Sequence, residues 1–242
     1  MLDPWEAIHV MEHECRYARI TASNTWPSDT AVYYSVVHDT RAMGESRGLE
    51  EEIIKTLNTI RTRYSLDDLG NNLVIRALRQ FYWRIGIDPT KKRPSSEALV
   101  RRILRGDDLP RINCIVDSGN LASLITLVPV GLYDLDKVPE PKRIMLRQAL
   151  PGEVFEPIGG KPIILKGGEP VMVSGNIIMF LYPYRDSVKT MISSDTRRVL
   201  VVAAGVPGID DEQVARTTNL VSEYITRFCG GRIACSTTKI IL

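Results

Sequence analysis

The texture of the chain changes at residue 129, and that change limits its fold more than any other feature. Beyond it, short runs rich in aliphatic and β-branched residues fall at 131–134, 144–149, 162–166, 171–174, 177–182 and 199–203. Gly159-Gly160, Gly167-Gly168 and Ser174-Gly175-Asn176 divide them. Short strands at about ten-residue spacing with turn residues between them predict a sandwich or barrel-like sheet. The preceding stretch has helical periodicity instead. Ile53, Ile54, Leu57 and Ile60 share a face over 49–64, and Leu73, Val74, Ala77, Leu78, Phe81 and Tyr82 form a stripe over 71–85 that Gly86 closes. A third helix is expected over 98–104, opened by Ser95-Ser96-Glu97 with a serine as cap and Pro94 just outside, and a fourth over 112–127. Residues 17–22 and 31–37 read as strands. After the sheet, Asp210-Asp211-Glu212 opens an amphipathic helix carrying Val214, Leu220, Val221, Tyr224, Ile225 and Phe228, and a last strand is expected over 232–242. Helices, then strands, then a helix and a strand make an α+β chain, not an alternating α/β one.

At 242 residues, 44% hydrophobic and 25% charged, the chain has material for a sizeable core. No stretch approaches the ~20 apolar residues needed to cross a bilayer. The opening Met1-Leu2-Asp3-Pro4-Trp5-Glu6 lacks the basic flank and apolar run of a secretory leader. A soluble cytoplasmic protein with no membrane partner is the expectation. Cys15, Cys114, Cys229 and Cys235 form no C-x-x-C pair, which argues against zinc-ribbon and thioredoxin-like sites. Four buried free thiols are expected, with a Cys229–Cys235 disulfide as the alternative suited to a thermophile. The histidines are His9, His13 and His38. His9 and His13 stand four apart, as metal ligands on a helix can, but no third ligand follows by spacing, so neither metal nor cofactor is expected. The rest of the chain has no histidine from which to build Ser-His-Asp or Cys-His machinery.

Charge is concentrated. Between Arg76 and Arg111 lie ten basic and four acidic residues, an excess of +6 against a net +2 for the whole chain. Clustered Lys and Arg are the footprint of phosphate-backbone contact, which nominates Lys91, Lys92, Arg93, Arg101, Arg102 and Arg105 as nucleic-acid-binding. A solvated helix face with ion pairs is the competing account. Two polar groups sit in apolar surroundings and so need hydrogen-bond partners. One is Asn113, Asp117 and Asn120 at helical spacing; the other is Arg185, Asp186 and Ser187, followed by Thr190 and Thr196. Taken alone, Arg185 and Asp186 read as a structural ion pair. The glycine pairs have neither the spacing nor the following helix of a phosphate-cradling loop.

An ordered set of segments resembles the B3/B4 domain family, the editing and tRNA-binding-type module of the phenylalanyl-tRNA synthetase beta subunit, in a free-standing form. The set runs through Ile85-Gly86-Ile87-Asp88-Pro89, Pro94-Ser95-Ser96-Glu97-Ala98-Leu99, Leu109-Pro110-Arg111-Ile112-Asn113, and Val116-Asp117 with Asn120. It continues with Pro129-Val130-Gly131-Leu132-Tyr133-Asp134, Leu146-Arg147-Gln148-Ala149, Tyr184-Arg185-Asp186-Ser187 and Thr196-Arg197-Arg198. The resemblance covers about 70–230. It implies a three-layer α+β fold built around an unusual β-sandwich with flanking helices. It divides the chain into an N-terminal α+β extension, 1–69, and a B3/B4-like domain, 70–242. In the synthetase this module hydrolyses tyrosine attached to the wrong tRNA, by a positioned water and without a covalent nucleophile. Such a second sieve supplies discrimination that a synthetic site cannot.

Three departures bear on the pocket. Where bacterial synthetases carry a histidine after P-L, this chain has Gly131; their Thr-Asn becomes Gly119-Asn120; and Val188 aligns with an acidic position, with Asp186 two residues away. The expected function is binding of tRNA or aminoacyl-tRNA, with hydrolysis of mischarged aminoacyl-tRNA in trans as its most concrete activity. The catalytic candidates are Asn120, Asp186, Ser187 and Thr190, and the substrate-binding candidates are Asn113, Asp117, Gly131, Arg185 and Thr196. A non-catalytic module for RNA, an amino acid or another small molecule is the alternative, and an unrelated small-molecule enzyme on the same scaffold is a third. The two polar groups are expected to meet around one concave pocket.

Overall fold

The computed structural model describes residues 15–42 and 46–240. His9 and His13 lie outside them. In chain order come strands β1 (Arg19–Ala22) and β2 (Ala31–His38) and helices α1 (Arg47–Arg63), α2 (Leu73–Arg84), α3 (Ser95–Leu104) and α4 (Cys114–Thr126). Then follow β3 (Val130–Asp134), β4 (Arg143–Gln148), β5 (Val154–Phe155), β6 (Ile163–Ile164), β7 (Pro170–Ser174), β8 (Ile177–Leu181), β9 (Arg185–Asp186) and β10 (Arg198–Gly205). Helix α5 (Asp211–Cys229) and strand β11 (Arg232–Lys239) complete the described chain. The expected α+β order is present. The 162–166 run shrinks to the two-residue β6, while β5 and β9 carry no run long enough to be seen in sequence.

Helix ends follow local chemistry. The Ser46 side chain accepts from the Leu49 amide, Asn72 from Val74 and Ile75, and Asp210 from Glu212. Helix α3 departs from expectation: it starts at Ser95, its cap position is Pro94, and no side chain caps it. Proline before the first turn has the fixed φ that leads into a helix, so the serine stands one residue inside.

Among the described residues nine strands form two main sheets: one has the order β1-β4-β7-β8-β9, the other β11-β2-β10-β3, and β5 pairs with β6 apart from both. In the second sheet β10 is buried from Val199 to Gly205 without alternation. A strand with no polar-out alternation has both faces covered. Helices α4 and α5 lie against this sheet, α5 on β2 and β10 and α4 on β3, and α4 and α5 pack on each other. The other sheet joins the same core through Ile144, Leu146, Met172 and Phe180. Tyr133 of β3 and Phe180 of β8 mark the contact between sheets, with ring centroids 6.0 Å apart. Residues before 70 are part of both sheets: β1 pairs in parallel with β4, and β2 lies between β10 and β11. A boundary at residue 69 therefore separates strands that share a sheet.

The cysteines correct the free-thiol expectation. Cys114 pairs with Cys229, stapling the start of α4 to the end of α5, and Cys15 pairs with Cys235 of β11. The partners are 115 and 220 residues apart. Spacing along the chain carries no trace of such pairs, because only the packing of α4 on α5 and of the N-terminal segment on β11 brings the sulfurs together. The alternative Cys229–Cys235 bridge is not formed.

Candidate functional site

A cavity of about 160 Å³ opens where α3, α4, β8 and β9 converge. Its walls are largely apolar, including Leu99, Pro129, Val130 and Phe180, and its polar lining includes Asn120, Arg185 and Asp186. Helix α4 delivers Asn120. That helix is buried over most of its length and ends in a left-handed Leu127 (φ 62°), which turns the chain toward Pro129 and β3. The short strand β9 delivers Arg185 and Asp186, held to β8 through the Phe180–Asp186 and Leu181–Arg185 pairs.

Asp186 does not pair with Arg185, as the sequence suggested. Its Oδ1 accepts a 2.6 Å hydrogen bond from the phenol of Tyr133. Among the described residues no group donates to its other carboxylate oxygen. Burial pushes the Asp186 carboxyl up to about 6, and the Tyr133 hydrogen bond works against that rise. Burial, together with the Asp186 charge, drives the Tyr133 phenol well above its ordinary value, so it remains a donor at neutral pH. The Arg185 guanidinium lies 5.4 Å from the Tyr184 ring centroid and makes no ion pair among the described residues. Lys92 stands at 5.2 Å from the same ring. The Asn120 amide is likewise unclaimed by any described side chain or backbone group. Buried and half-buried polar groups in proteins are normally partnered, so three that face one cavity with bonding capacity to spare form a site with room for a polar ligand.

The remaining candidates fall elsewhere. Asn113 caps α4 by accepting from the Val116 amide. Asp117 accepts from Arg111 Nε and from the Ile112 amide, both at 2.9 Å. These two residues stabilise the start of α4, and a helix rises 1.5 Å per residue, so Asn113 stands about 10 Å along the axis from Asn120. Ser187 accepts from the Lys189 amide at the head of a short 3₁₀ turn. Thr190 is fully buried, and among the described residues its hydroxyl has no hydrogen-bond partner. Thr196 donates to Asp134 at 2.7 Å and accepts from the Ser193 amide. Only Asn120 of the first polar group and Arg185 and Asp186 of the second line the cavity. The expected meeting of the two groups is therefore partial.

Gly131 bears on the site through Tyr133, which the sequence reading did not single out. A Cβ at 131 would lie 2.1 Å from the Tyr133 phenol oxygen. The phenol folds back over residue 131 to reach Asp186, and a histidine there has no room. The two-residue alternation of β3, which puts 131 and 133 on one face, is the feature that connects them.

The basic segment divides in two. Arg79, Arg101 and, at 3.9 Å, Arg93 surround Glu97, whose side chain is fully buried. Arg102 donates to the Asp108 carbonyl, and Arg111 is held by Glu50 and Asp117. Lys91, whose side chain is 82% exposed, stands 3.9 Å from Asp88, Lys92 is exposed with its ammonium over the ring of Tyr184, and Arg105 is exposed. Much of the charge excess is thus structural.

The B3/4 domain model matches residues 77–233. The phenylalanine–tRNA ligase beta subunit of Tropheryma whipplei (strain Twist) is 24% identical over 206 residues, 83% of this chain and 21% of that protein. The beta subunit of Thermotoga maritima is 26% identical over 117 residues, 48% of this chain and 15% of that one. This chain therefore spans about a fifth or less of the length of these relatives. A crystal structure of an N-terminal fragment of the phenylalanyl-tRNA synthetase beta subunit from Pyrococcus horikoshii aligns over 92% of this chain and 52% of that one, with a TM-score of 0.46 and 15% identity.

Proposed function

Because the chain belongs to the B3/4 domain family, we propose that it binds aminoacyl-tRNA and hydrolyses mischarged aminoacyl esters in the cavity between α4 and β9. One observation carries this reading: Asn120, Arg185 and Asp186 line a single cavity, and among the described residues nothing hydrogen-bonds the Asn120 side chain, forms an ion pair with Arg185 or donates to the second oxygen of Asp186. Among the described residues the cavity lining has no histidine and no hydroxyl paired to a base, so the chemistry assigned to it uses water as the nucleophile. Asp186 takes the proton from that water as its oxygen attacks the ester carbonyl carbon. The Asn120 amide donates to the carbonyl oxygen as it gains negative charge. The carbon–oxygen bond to the ribose then breaks, and the ribose hydroxyl leaves carrying a proton. A base with a value near 6 is matched to work at neutral pH, and such a base typically contributes 10²–10⁴ in rate. A single donor to a developing oxyanion contributes about 10²–10³. In the cavity wall, Tyr184 with Lys92 and Arg185 on its ring offers an aromatic and cationic surface of the kind on which single-stranded nucleotides stack.

The test is deacylation of a panel of mischarged tRNAs by the purified protein. Hydrolysis of at least one, lowered about 100-fold or more by Asp186→Asn and by Asn120→Ala, is expected. Trapping of a covalent aminoacyl-enzyme would overturn the water mechanism. Binding of charged tRNA without hydrolysis would make the pocket a recognition module.

A further inference from the structure

We infer that the cavity accepts aminoacyl groups with small side chains, of alanine or serine size, and that Tyr133 sets this limit by closing the cavity behind Asp186. The inference rests on the reading of the cavity as an aminoacyl site and departs from the tyrosine that the family resemblance suggests.

Tyr133 is fully buried. Its ring packs against Phe180, its phenol bonds Asp186, and its oxygen occupies the space above Gly131. Phe180 and Asp186 both line the cavity, so the tyrosine stands directly behind two of its wall residues. Gly131 is what admits the phenol: with a Cβ only 2.1 Å from the phenol oxygen, the ring would have to leave. The space that remains is about 160 Å³. A dry apolar cavity of ~150 Å³ binds one benzene ring. An aminoacyl ester must also place its ammonium group, its carbonyl and the attacking water in that space. A phenol side chain would take up most of that space; a methyl or hydroxymethyl leaves more of it for the reacting atoms.

Tyr133 also positions Asp186. With Oδ1 fixed by the phenol, Oδ2 is the oxygen turned to the ligand. Among the described residues the other charged or titratable groups near the carboxylate are Arg185 and Tyr184 of the same segment, which line the cavity, and Lys92 before α3, over the Tyr184 ring; Tyr133 is the group that hydrogen-bonds it. Loss of the phenol hydroxyl removes the interaction that lowers the Asp186 value, so ionisation moves to higher pH.

The probes are hydrolysis-resistant 3′-aminoacylamino-adenosines carrying alanyl, seryl or tyrosyl groups, with binding measured by calorimetry. The alanyl and seryl compounds are expected to bind at least tenfold more tightly than the tyrosyl compound. Tyr133→Leu should admit the tyrosyl compound. Tyr133→Phe, which keeps the ring, should retain the preference for small groups while raising the pH at which Asp186 ionises above about 6, read by carboxyl-carbon NMR. If Tyr133→Leu does not fold, the parent protein and Tyr133→Phe still decide the matter. Equal or tighter binding of the tyrosyl compound overturns the inference, as does failure of all three to bind. An unmoved Asp186 titration in Tyr133→Phe overturns the positioning role. Selective binding of the alanyl compound by a protein that deacylates no mischarged tRNA would sink the hydrolytic reading and leave the size limit standing.

Discussion

The Arg79 guanidinium donates to both carboxylate oxygens of Glu97, at 2.8 and 2.5 Å, on a side chain with no exposure to solvent. Arg101 adds a third hydrogen bond at 2.6 Å. Burial works to raise the Glu97 value, but the hydrogen bonds from Arg79 and Arg101 outweigh it and hold the carboxyl below its ordinary range. Breaking a buried ion pair by removing one partner costs about 3–5 kcal/mol. Glu97→Ala is therefore expected to destabilise the protein by that order in urea unfolding. Because the folded value is depressed, the stabilisation is present above the ordinary carboxylate value and is lost as pH falls through the depressed one. Glu97→Gln should flatten this acid limb of the stability profile. An unchanged limb would place the acid sensitivity elsewhere.

Asp186 has the opposite sign. Its value rises from 3.8 to about 6, so the fold favours the protonated form. Stability contributed by the neutral acid is full below 3.8 and declines as pH rises through about 6. The gap corresponds to about 3 kcal/mol. Asp186→Asn is expected to be more stable than the parent at pH 7, by up to roughly that amount, and no more stable at pH 3. The same variant should lose deacylation, so that stability and activity move in opposite directions. A variant less stable at pH 7 would contradict the burial account.

Lys91, Lys92 and Arg105 remain exposed after the arginines around Glu97 are accounted for. Replacing all three by alanine should weaken tRNA binding and flatten the slope of log affinity against log salt by about 2, at ~0.7 per single-strand phosphate contact. Arg101→Ala should act mainly through stability. If the triple variant binds as before across a salt titration, the segment is a solvated face.

The Cys114–Cys229 bridge closes a loop of 115 residues between α4 and α5. A bridge of this kind typically contributes about 2–4 kcal/mol, chiefly through the unfolded chain. Thiol titration of the unreduced, denatured protein should find no reactive Cys114 or Cys229, and Cys114→Ser with Cys229→Ser should lower the unfolding free energy by that order. Free thiols at both positions in the unreduced protein would overturn the pairing.

What the sequence determined by itself was local. The periodicity of Ile53, Leu57 and Ile60 gave α1, the alternation and β-branching of 31–37 and 199–203 gave the two central strands, and Asp210 and Gly230 bounded α5. Each depends on interactions within a few residues, which is why a linear reading reaches them. The ordered motifs also carried the family. The tertiary structure decided everything that joins distant residues. Asn120 and Asp186 line one cavity because α4 and β9 converge, whereas Asn113, the cap of α4, and Asp117, within it, serve its first turn. The cysteine partners depend on contacts 115 and 220 residues apart. The role of Gly131 depends on where the Tyr133 ring turns, which a two-residue spacing permits but does not fix. The charge excess between Arg76 and Arg111 was visible, but which arginines are consumed by Glu97 depends on how α2 packs beside α3. Composition counts charges; only packing shows which of them face water.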